Sequence, residues 1–188
     1  RTAFGDTLDT ETDEIGTIAV GRNTSVTYVD GDATRTNLLA GGSFNDAGPW
    51  TVGGGWAIAD GAATHTAGAA STLSQSQALT AGKTYRGAIT VSGRTAGSVT
   101  VQLTGGTTVA TAAIDENGQV LFSLDAVTGN DTVEIVATSD FDGSIEEAQI
   151  FEETAACAPQ GTHAYRFAAV NSEDVTSAIS SAITATII

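Results

Sequence analysis

Apolar and polar residues alternate along much of the chain, and this alternation predicts β-strands. It is clearest in SVTYV (25–29), KTYRGAITVSG (83–93), SVTVQL (98–103), QVLFSL (119–124) and DTVEIVAT (131–138). Because successive side chains of a strand point to opposite faces, each segment can turn one apolar face towards a core. Turn signals separate these segments, at Asp30-Gly31, Asn117-Gly118, Thr128-Gly129-Asn130 and Asp142-Gly143. Short strands with such turns predict an all-β fold, a β-sandwich or jelly roll.

The last part of the sequence carries a further pair of strand signals. THAYRFAAVN (162–171) and AITATII (182–188) predict two antiparallel strands, a C-terminal β-hairpin. Between them, SEDVTSAISSAI (172–183) places apolar residues at helical spacing behind Ser172, a residue type that favours a helix N-terminus. Its serine, threonine and isoleucine content lowers the helix propensity, so helix and irregular structure both stay open there. Because two strands alone are marginally stable, the pair needs a larger body or another subunit.

Changes of composition along the chain predict three parts. Residues 1–34 include the acidic run DTLDTETDE (6–14) and few large apolar groups, which indicates an extended N-terminal arm with attachment strands. Residues 35–153 contain most of the strand signals and form the predicted jelly roll. Residues 154–188 begin with the linker-like TAACAPQG and continue into the C-terminal strand pair. The sequence thus predicts a central body joined to a partner through the flanking parts.

Charge and length restrict the classes of partner. The 188 residues include 22 Asp and Glu against 7 Lys and Arg, for a formal net charge of −15. This charge repels nucleic-acid phosphates and anionic membrane surfaces, so we expect no nucleic-acid partner. No apolar run reaches the length of a membrane-spanning helix, so we expect no membrane insertion. The single cysteine, Cys157, cannot form an internal disulfide, and we interpret it as a small buried apolar residue.

Several motifs follow one another in the central region. They are Asn37-Leu38-Leu39, Gly42-Ser43-Phe44, the tryptophans Trp50 and Trp56, LTAGKTY (79–85) and DGSIEEAQIF (142–151). In this order they resemble the carbohydrate-binding-module-like jelly rolls of bacteriophage tail, fibre and head-decoration proteins. Separately, GTHAYRFAAVNSEDVTSAISSAITATI (161–187) is similar to the last two strands of a fibronectin type III domain.

The resemblance implies a non-enzymatic virion structural protein, located on the virion surface or otherwise extracellular. Such a protein is a capsid decoration, a head fibre or a tail-associated adaptor. Its termini would attach to capsid or tail protein subunits, and the jelly roll would project as part of a homo-oligomer. The alternative is a working glycan-binding module, used for adhesion to cell-surface polysaccharide or as an appendage of a secreted enzyme.

The two tryptophans decide how much support the glycan alternative has. The resemblance implies that Phe44, Trp50 and Trp56 point inward, and a buried aromatic side chain fills about 150–250 Å² of a core. A platform for a sugar ring is the competing interpretation, and we favour the core. The glycan-binding candidates are Trp50, if it is exposed, and the polar residues His65, Gln75, Gln77, Arg86 and Arg94.

Catalytic and metal sites have little support in the sequence. His65 and His163 lie far apart, and no Gly-x-Ser-x-Gly motif accompanies them, so we expect no catalytic residues and no enzyme activity. Structural calcium is the one metal with candidate ligands, because carboxylates are the hard donors it prefers. The resemblance implies Glu147 with the region of Asp46, and the acidic run SDFDGSIEE (139–147) adds Asp140 and Asp142. Because Asp-Gly turns also form without a metal, the sequence leaves open whether the protein binds calcium.

Overall fold

The computed structural model describes residues 36–154, 160–165 and 183–187. The chain divides into two units, one of residues 36–153 and one of residues 1–35 with 154–188. The predicted arm, with its strand signal at 25–29 and its turn signal at 30–31, lies outside the described residues, as do residues 172–182. The roles assigned to 1–34, 35–153 and 154–188 stay predictions.

The larger unit is built from ten strands. They are β1 Thr51–Val52, β2 Trp56–Ala59, β3 Ala62–His65, β4 Ser71–Ser76, β5 Thr84–Ala96, β6 Val99–Thr104, β7 Val109–Ala110, β8 Gly118–Asp125, β9 Thr132–Ala137 and β10 Asp142–Glu152. The alternating segments of the sequence coincide with β5, β6, β8 and β9, so those strand predictions are confirmed. In the described ranges, no helix is long and apolar enough to cross a bilayer.

The strands form two antiparallel sheets with a jelly-roll order. Sheet A has the order β1-β4-β9-β6-β7, and sheet B has the order β2-β3-β10-β5-β8. If β3 to β10 are counted from one to eight, these orders contain 2-7-4-5 and 1-8-3-6, which is the arrangement of two interlocked Greek keys. The predicted all-β jelly-roll sandwich is therefore confirmed.

Apolar positions of the alternating pattern fill the space between the sheets. Val99, Val101 and Leu103 of β6 are at most 3% exposed, and Ile145 and Ile150 of β10 are fully buried. The residues between them on β6 are only half-buried, because they point away from the core. Burying one such side chain contributes roughly 1.5–3 kcal/mol, so this core is the main source of stability for the sandwich.

Asn37 attaches the start of the unit to its last strand. Its Nδ2 donates to the carbonyl of Ala148 at 3.0 Å, and its Oδ1 accepts from the amide of Ile150 at 2.9 Å. The amide of Leu38 donates to the carbonyl of Ile150 at 2.8 Å. Strand β3 pairs only with residues 143–145 of β10. Further along β10, the Asn37 side chain forms hydrogen bonds with the backbone of that strand in place of a neighbouring strand. This explains the asparagine in the Asn37-Leu38-Leu39 motif.

The prediction of a turn at Asp142-Gly143 is wrong. Both residues belong to β10, and the chain reverses just before them, where the Phe141 amide donates to the carbonyl of Thr138 at 3.1 Å. A Cβ atom at Gly143 would lie only 2.9 Å from the Cα atom of Arg94. The glycine therefore permits a close approach of two strands and does not form a turn.

The described part of the smaller unit is a pair of strands. These are β11 Gly161–Tyr165 and β12 Ile183–Ile187, which pair antiparallel with Thr162 opposite Thr186. The two threonine hydroxyls are 3.1 Å apart. The predicted C-terminal strand pair is confirmed, and its fibronectin type III character stays a prediction.

Candidate functional site

His65, a glycan-binding candidate of the sequence, is a core residue. It is fully buried, with its ring 4.9 Å from that of Trp56 and 5.8 Å from that of Phe141. Its Nδ1 lies 2.7 Å from the carbonyl of Phe141, and its Nε2 lies 3.2 Å from the Ser71 hydroxyl. The carbonyl can only accept, so Nδ1 carries a proton, and Nε2 shares a hydrogen bond with the Ser71 hydroxyl. Both ring nitrogens have partners inside the protein, so the structure does not favour His65 as a glycan contact.

Trp50 and Gln75 are also buried and satisfied internally. Trp50 is 6% exposed, and its indole N–H donates to the carbonyl of Gly41 at 3.1 Å. Gln75 is 7% exposed and bonds both the amide and the carbonyl of Ala40, at 3.1 and 2.7 Å. Neither side chain offers a free face or a free polar atom to a ligand. Their placement does not favour either residue as a glycan contact, and the glycan-binding assignment stays a prediction.

The remaining glycan candidates are half-buried and do not form one site. Gln77 lies beyond β4 of sheet A and donates to the side-chain oxygen of Gln75 at 3.1 Å. Arg86 lies on β5 of sheet B and forms an ion pair with Glu153. Arg94 lies eight residues further along the same strand, and its Nε donates to the carbonyl of Gly97 at 2.6 Å. At about 3.4 Å per residue, the two arginines are too far apart to share one sugar ring.

The calcium candidates are separate carboxylates, each with a local hydrogen bond. Asp46 accepts from the Gly48 amide at 2.8 Å, Asp142 accepts from the Thr95 hydroxyl at 3.0 Å, and Glu147 accepts from the Gln149 amide group. Within the described ranges, no three His, Cys, Asp or Glu side chains are placed to hold a metal ion. The structure does not bring Asp46, Asp140, Asp142 and Glu147 together as one group of ligands, and calcium binding stays a prediction.

The pKa of the Asp140 carboxylate is shifted. A hydrogen bond from the Thr138 side chain, followed by one from its own backbone amide, holds the pKa of Asp140 below its usual value. Desolvation opposes this shift, and the nearby Arg94 charge adds to it. The causes are local to the turn before β10, so the lowered pKa reflects turn structure and gives no sign of an acid-base site.

All aromatic side chains of residues 36–153 are buried. They are Phe44, Trp50, Trp56, Tyr85, Phe122, Phe141 and Phe151, and none is more than 8% exposed. Trp56 lies 6.0 Å from Phe141, and Trp50 lies 5.3 Å from Phe44, measured between ring centroids. The core interpretation of the tryptophans agrees with this placement. No ring in this range offers an open face to a sugar.

The outer side of sheet A carries a regular array of polar side chains, which we call the hydroxyl face. It consists of Thr72, Ser74 and Ser76 on β4, Thr132, Glu134 and Val136 on β9, and Thr100, Gln102 and Thr104 on β6. The register aligns these residues in three rows across the sheet, Thr72-Val136-Thr100, Ser74-Glu134-Gln102 and Ser76-Thr132-Thr104. Side chains opposite one another in such rows lie about 4.5–5.5 Å apart at Cβ.

Chemically, the hydroxyl face is rich in hydrogen-bonding groups and poor in charge. Six hydroxyls and the Gln102 amide surround one carboxylate, Glu134. Gln102 already donates to the Thr100 hydroxyl at 3.1 Å, so the side chains partly orient one another. Hydroxyls and amides both donate and accept, which suits a polar, uncharged ligand rich in hydroxyl groups.

The sequence candidates missed this face, although the signal was present. The polar positions of SVTVQL and DTVEIVAT are the residues that form it on β6 and β9. Alternation shows that Gln102 and Glu134 point away from the core, but it cannot show that β6 and β9 are neighbours. The strand order of sheet A supplies that information.

No protein-family model matches the chain, and no curated protein matches it. Among solved structures, the chain is similar to the carbohydrate-binding module TmCBM61, which was solved in complex with β-1,4-galactotriose. The two are 16% identical, and the similarity covers 63% of this chain and 99% of that chain with a TM-score of 0.44. This likeness concerns the β-sandwich fold, which the strand order establishes on its own.

Proposed function

We propose that the protein is a non-enzymatic structural component of a larger particle. The particle that the sequence resemblance implies is a bacteriophage virion. The observation that carries the proposal is the burial of every aromatic ring of residues 36–153, which makes this unit a packed body without a ring platform. The body would project from the particle surface in several copies, in an extracellular location.

The proposed attachment uses the segments that flank the body. Residues 1–35 and 154–188 belong together in one unit, separate from residues 36–153. The run at 6–14 is strongly acidic and suits a basic surface on a capsid or tail protein subunit. Attachment through this unit leaves the sandwich free to project.

Truncation tests the attachment. Full-length protein and a variant lacking residues 1–14 are mixed with particles stripped of the native protein, and the amount that co-sediments is measured. We expect the truncated protein to stay in the supernatant and its thermal unfolding midpoint to be unchanged. Full co-sedimentation of the truncated protein would reject the arm as the attachment segment.

Glycan binding is the second candidate function, and the hydroxyl face favours it. Its central row, Ser74-Glu134-Gln102, combines a hydroxyl, a carboxylate and an amide side by side on the outer side of sheet A. Sugar hydroxyls form hydrogen bonds with groups of this kind, and no aromatic ring is required for a shallow site of modest affinity.

A glycan array separates the two candidates. The array includes bacterial surface polysaccharides and β-1,4-galactotriose, the ligand in the TmCBM61 structure. If the hydroxyl face binds a glycan, the double variant Gln102→Ala with Glu134→Ala loses the signal. The control variant Asp60→Asn, which changes an exposed acid in the β2–β3 turn, keeps it. No reproducible signal with the wild-type protein would reject glycan binding and leave the structural proposal standing.

A further inference from the structure

Strand β8 is an edge strand of sheet B. Within the described part of the chain it stands at the end of the sheet order, and its one partner strand is β5. All eight residues of β8 pair with β5 in continuous register, from Gly118 opposite Val91 to Asp125 opposite Thr84. Proteins commonly protect such edges with proline, bulges or charged residues. Residues 118–124 contain no proline and no charged side chain, and the strand has no bulge.

A groove of about 360 Å³ runs along this edge. One wall is formed by residues 120–124 of β8. The other is formed by residues 110–116, which are the last residue of β7 and the segment after it. The second wall is fixed to sheet A, because Ile114 exchanges two backbone hydrogen bonds with Val99, at 3.1 and 2.8 Å. Its exposed side chains include Ala110, Ala112 and Ala113, which are small enough to let an extended chain approach. The groove therefore lies beside a strand edge and has a firm opposite wall.

Carboxylates stand at both ends of β8, where Asp115 and Glu116 line the groove and Asp125 lies just beyond its lining residues. Asp115 and Glu116 are exposed just before β8, and Asp125 is exposed at its last position. Seven residue steps of about 3.4 Å separate Gly118 from Asp125, so the negative ends are roughly 24 Å apart. Between them the edge is uncharged. A complementary partner has an uncharged β-forming middle and positive residues towards its two ends.

We propose that β8 and this groove form a docking site for an extended basic polypeptide segment, which adds to sheet B as a further strand. Backbone hydrogen bonds to β8 would supply affinity, and lysine or arginine residues near Asp115, Glu116 and Asp125 would supply selectivity. The site lies within residues 36–153, so the proposal does not depend on attachment through the smaller unit or on the hydroxyl face.

A second copy of the chain fits the edge less well. In antiparallel pairing of two β8 strands, the Asp125 end of one strand would meet the Glu116–Gly118 end of the other. Carboxylates would then face carboxylates at both ends of the pair, in proteins that each carry a net charge of −15. Like charges placed opposite one another destabilise strand pairing, so a basic partner is favoured.

Fluorescence anisotropy with three labelled peptides tests the proposal on the full chain. The probe is KRTVTVTVKR, the charge control is EDTVTVTVDE, and the strand control is KRTVPVTVKR, which keeps the charge and interrupts the strand. We expect saturable binding of the first peptide and at least roughly tenfold weaker binding of the other two. Hydrogen exchange is expected to slow in residues 118–125 when the first peptide is bound.

Two protein variants locate the site. Asp115→Asn with Glu116→Gln is expected to weaken binding of KRTVTVTVKR about five- to tenfold, because charge complementarity is reduced at one end. The matched control, Asp60→Asn with Glu146→Gln, removes two exposed acids that do not line the groove and is expected to leave binding unchanged. Ser123→Lys places a positive charge on the exposed side of β8 and is expected to abolish binding of the basic peptide.

Each other result rejects the proposal. Equal binding of KRTVTVTVKR and KRTVPVTVKR would mean charge attraction without strand addition. Equal weakening by the groove variant and its control would mean that general acidity attracts the peptide. A wild-type dimer that Ser123→Lys converts to monomer in sedimentation would mean that a second copy occupies the edge. Absence of binding by the first peptide would exclude the basic partner directly.

Discussion

The indole nitrogens of Trp50 and Trp56 lie in different environments although both rings are buried. The Trp50 N–H donates to the carbonyl of Gly41 at 3.1 Å, whereas the Trp56 N–H has no hydrogen-bond partner in the structure. Both residues are 6% exposed, so their contributions to apolar burial are similar. The difference between them is one hydrogen bond.

We therefore expect Trp50→Phe to destabilise the protein more than Trp56→Phe. Each change removes similar volume, but Trp50→Phe also removes the indole hydrogen bond to the half-buried Gly41 carbonyl, which keeps its bond from the Phe44 amide. The lost hydrogen bond adds a cost of about 0.5–1.5 kcal/mol. Urea unfolding of both variants measures the difference in the free energy of unfolding. Equal destabilisation would contradict a structural role for the Trp50 hydrogen bond.

A second residue-scale prediction concerns Asp140. Because its pKa is lowered in the folded state, the carboxylate stabilises the fold above the pKa of unfolded Asp, and this contribution disappears as the pH falls through the folded pKa. Thr138→Ala removes the largest cause and is expected to raise the pKa of Asp140 in an NMR titration. Thr138→Ser keeps a hydroxyl and is expected to keep the lowered value. An unchanged pKa in Thr138→Ala would contradict the assignment.

Strands were predictable where apolar residues alternate strictly, and less so elsewhere. β4 was not predicted, because STLSQS places Leu73 and the polar Gln75 on its buried side. Gln75 can occupy a core position because the backbone of Ala40 satisfies its amide. β2 and β3 are four residues each, and half of the residues in each are alanine, so their pattern is weak. The tertiary partners that fix these strands are not visible in a local pattern.

At the scale of the elements, Gly87 is essential to the packing of sheet B. A Cβ atom there would lie 2.2 Å from the Gln149 carbonyl oxygen and 2.3 Å from Cζ of Phe122. We expect Gly87→Ala to destabilise the protein by about 2–3 kcal/mol, because β5 cannot move away from both neighbouring strands. Thermal or urea unfolding measures the change.

Gly54→Ala is the matched control for that experiment. No atom lies within 4 Å of a Cβ placed at Gly54, so we expect little change in the free energy of unfolding. A neutral Gly87→Ala variant would mean that Phe122 does not cover β5 as described.

The whole molecule carries far more negative than positive charge. With a net charge of −15, repulsion opposes the compact state, and added salt screens it. We expect the thermal unfolding midpoint to rise when sodium chloride is increased from about 10 mM to 150 mM, over which the Debye length falls from about 30 Å to 8 Å. Calorimetry at the two concentrations measures the shift, and a falling midpoint would contradict this view of the surface.

Sequence reasoning reached the architecture more completely than the site. The resemblance to a family of jelly rolls implied the inward positions of Trp50 and Trp56, and alternation predicted the sandwich. His65 and Gln75 were candidates for glycan binding because they are polar, and polar side chains are more often exposed than buried. Both instead lie in the core, where Phe141 and Ala40 satisfy them. The hydroxyl face and the edge position of β8 depend on which strands are neighbours in the sheets. The pattern of residues along one sequence does not show which strands pair.

Tryptophan fluorescence tests the central claim, that the aromatic rings of the sandwich serve packing and not recognition. The chain contains two tryptophans, both in residues 36–153, so the signal reports on the body alone. We predict a blue-shifted emission, weak quenching by acrylamide in the native protein, and no change of either when saccharides from the array are added. Strong quenching of the native protein, relieved by a saccharide, would show an exposed indole covered by a sugar and would contradict the account.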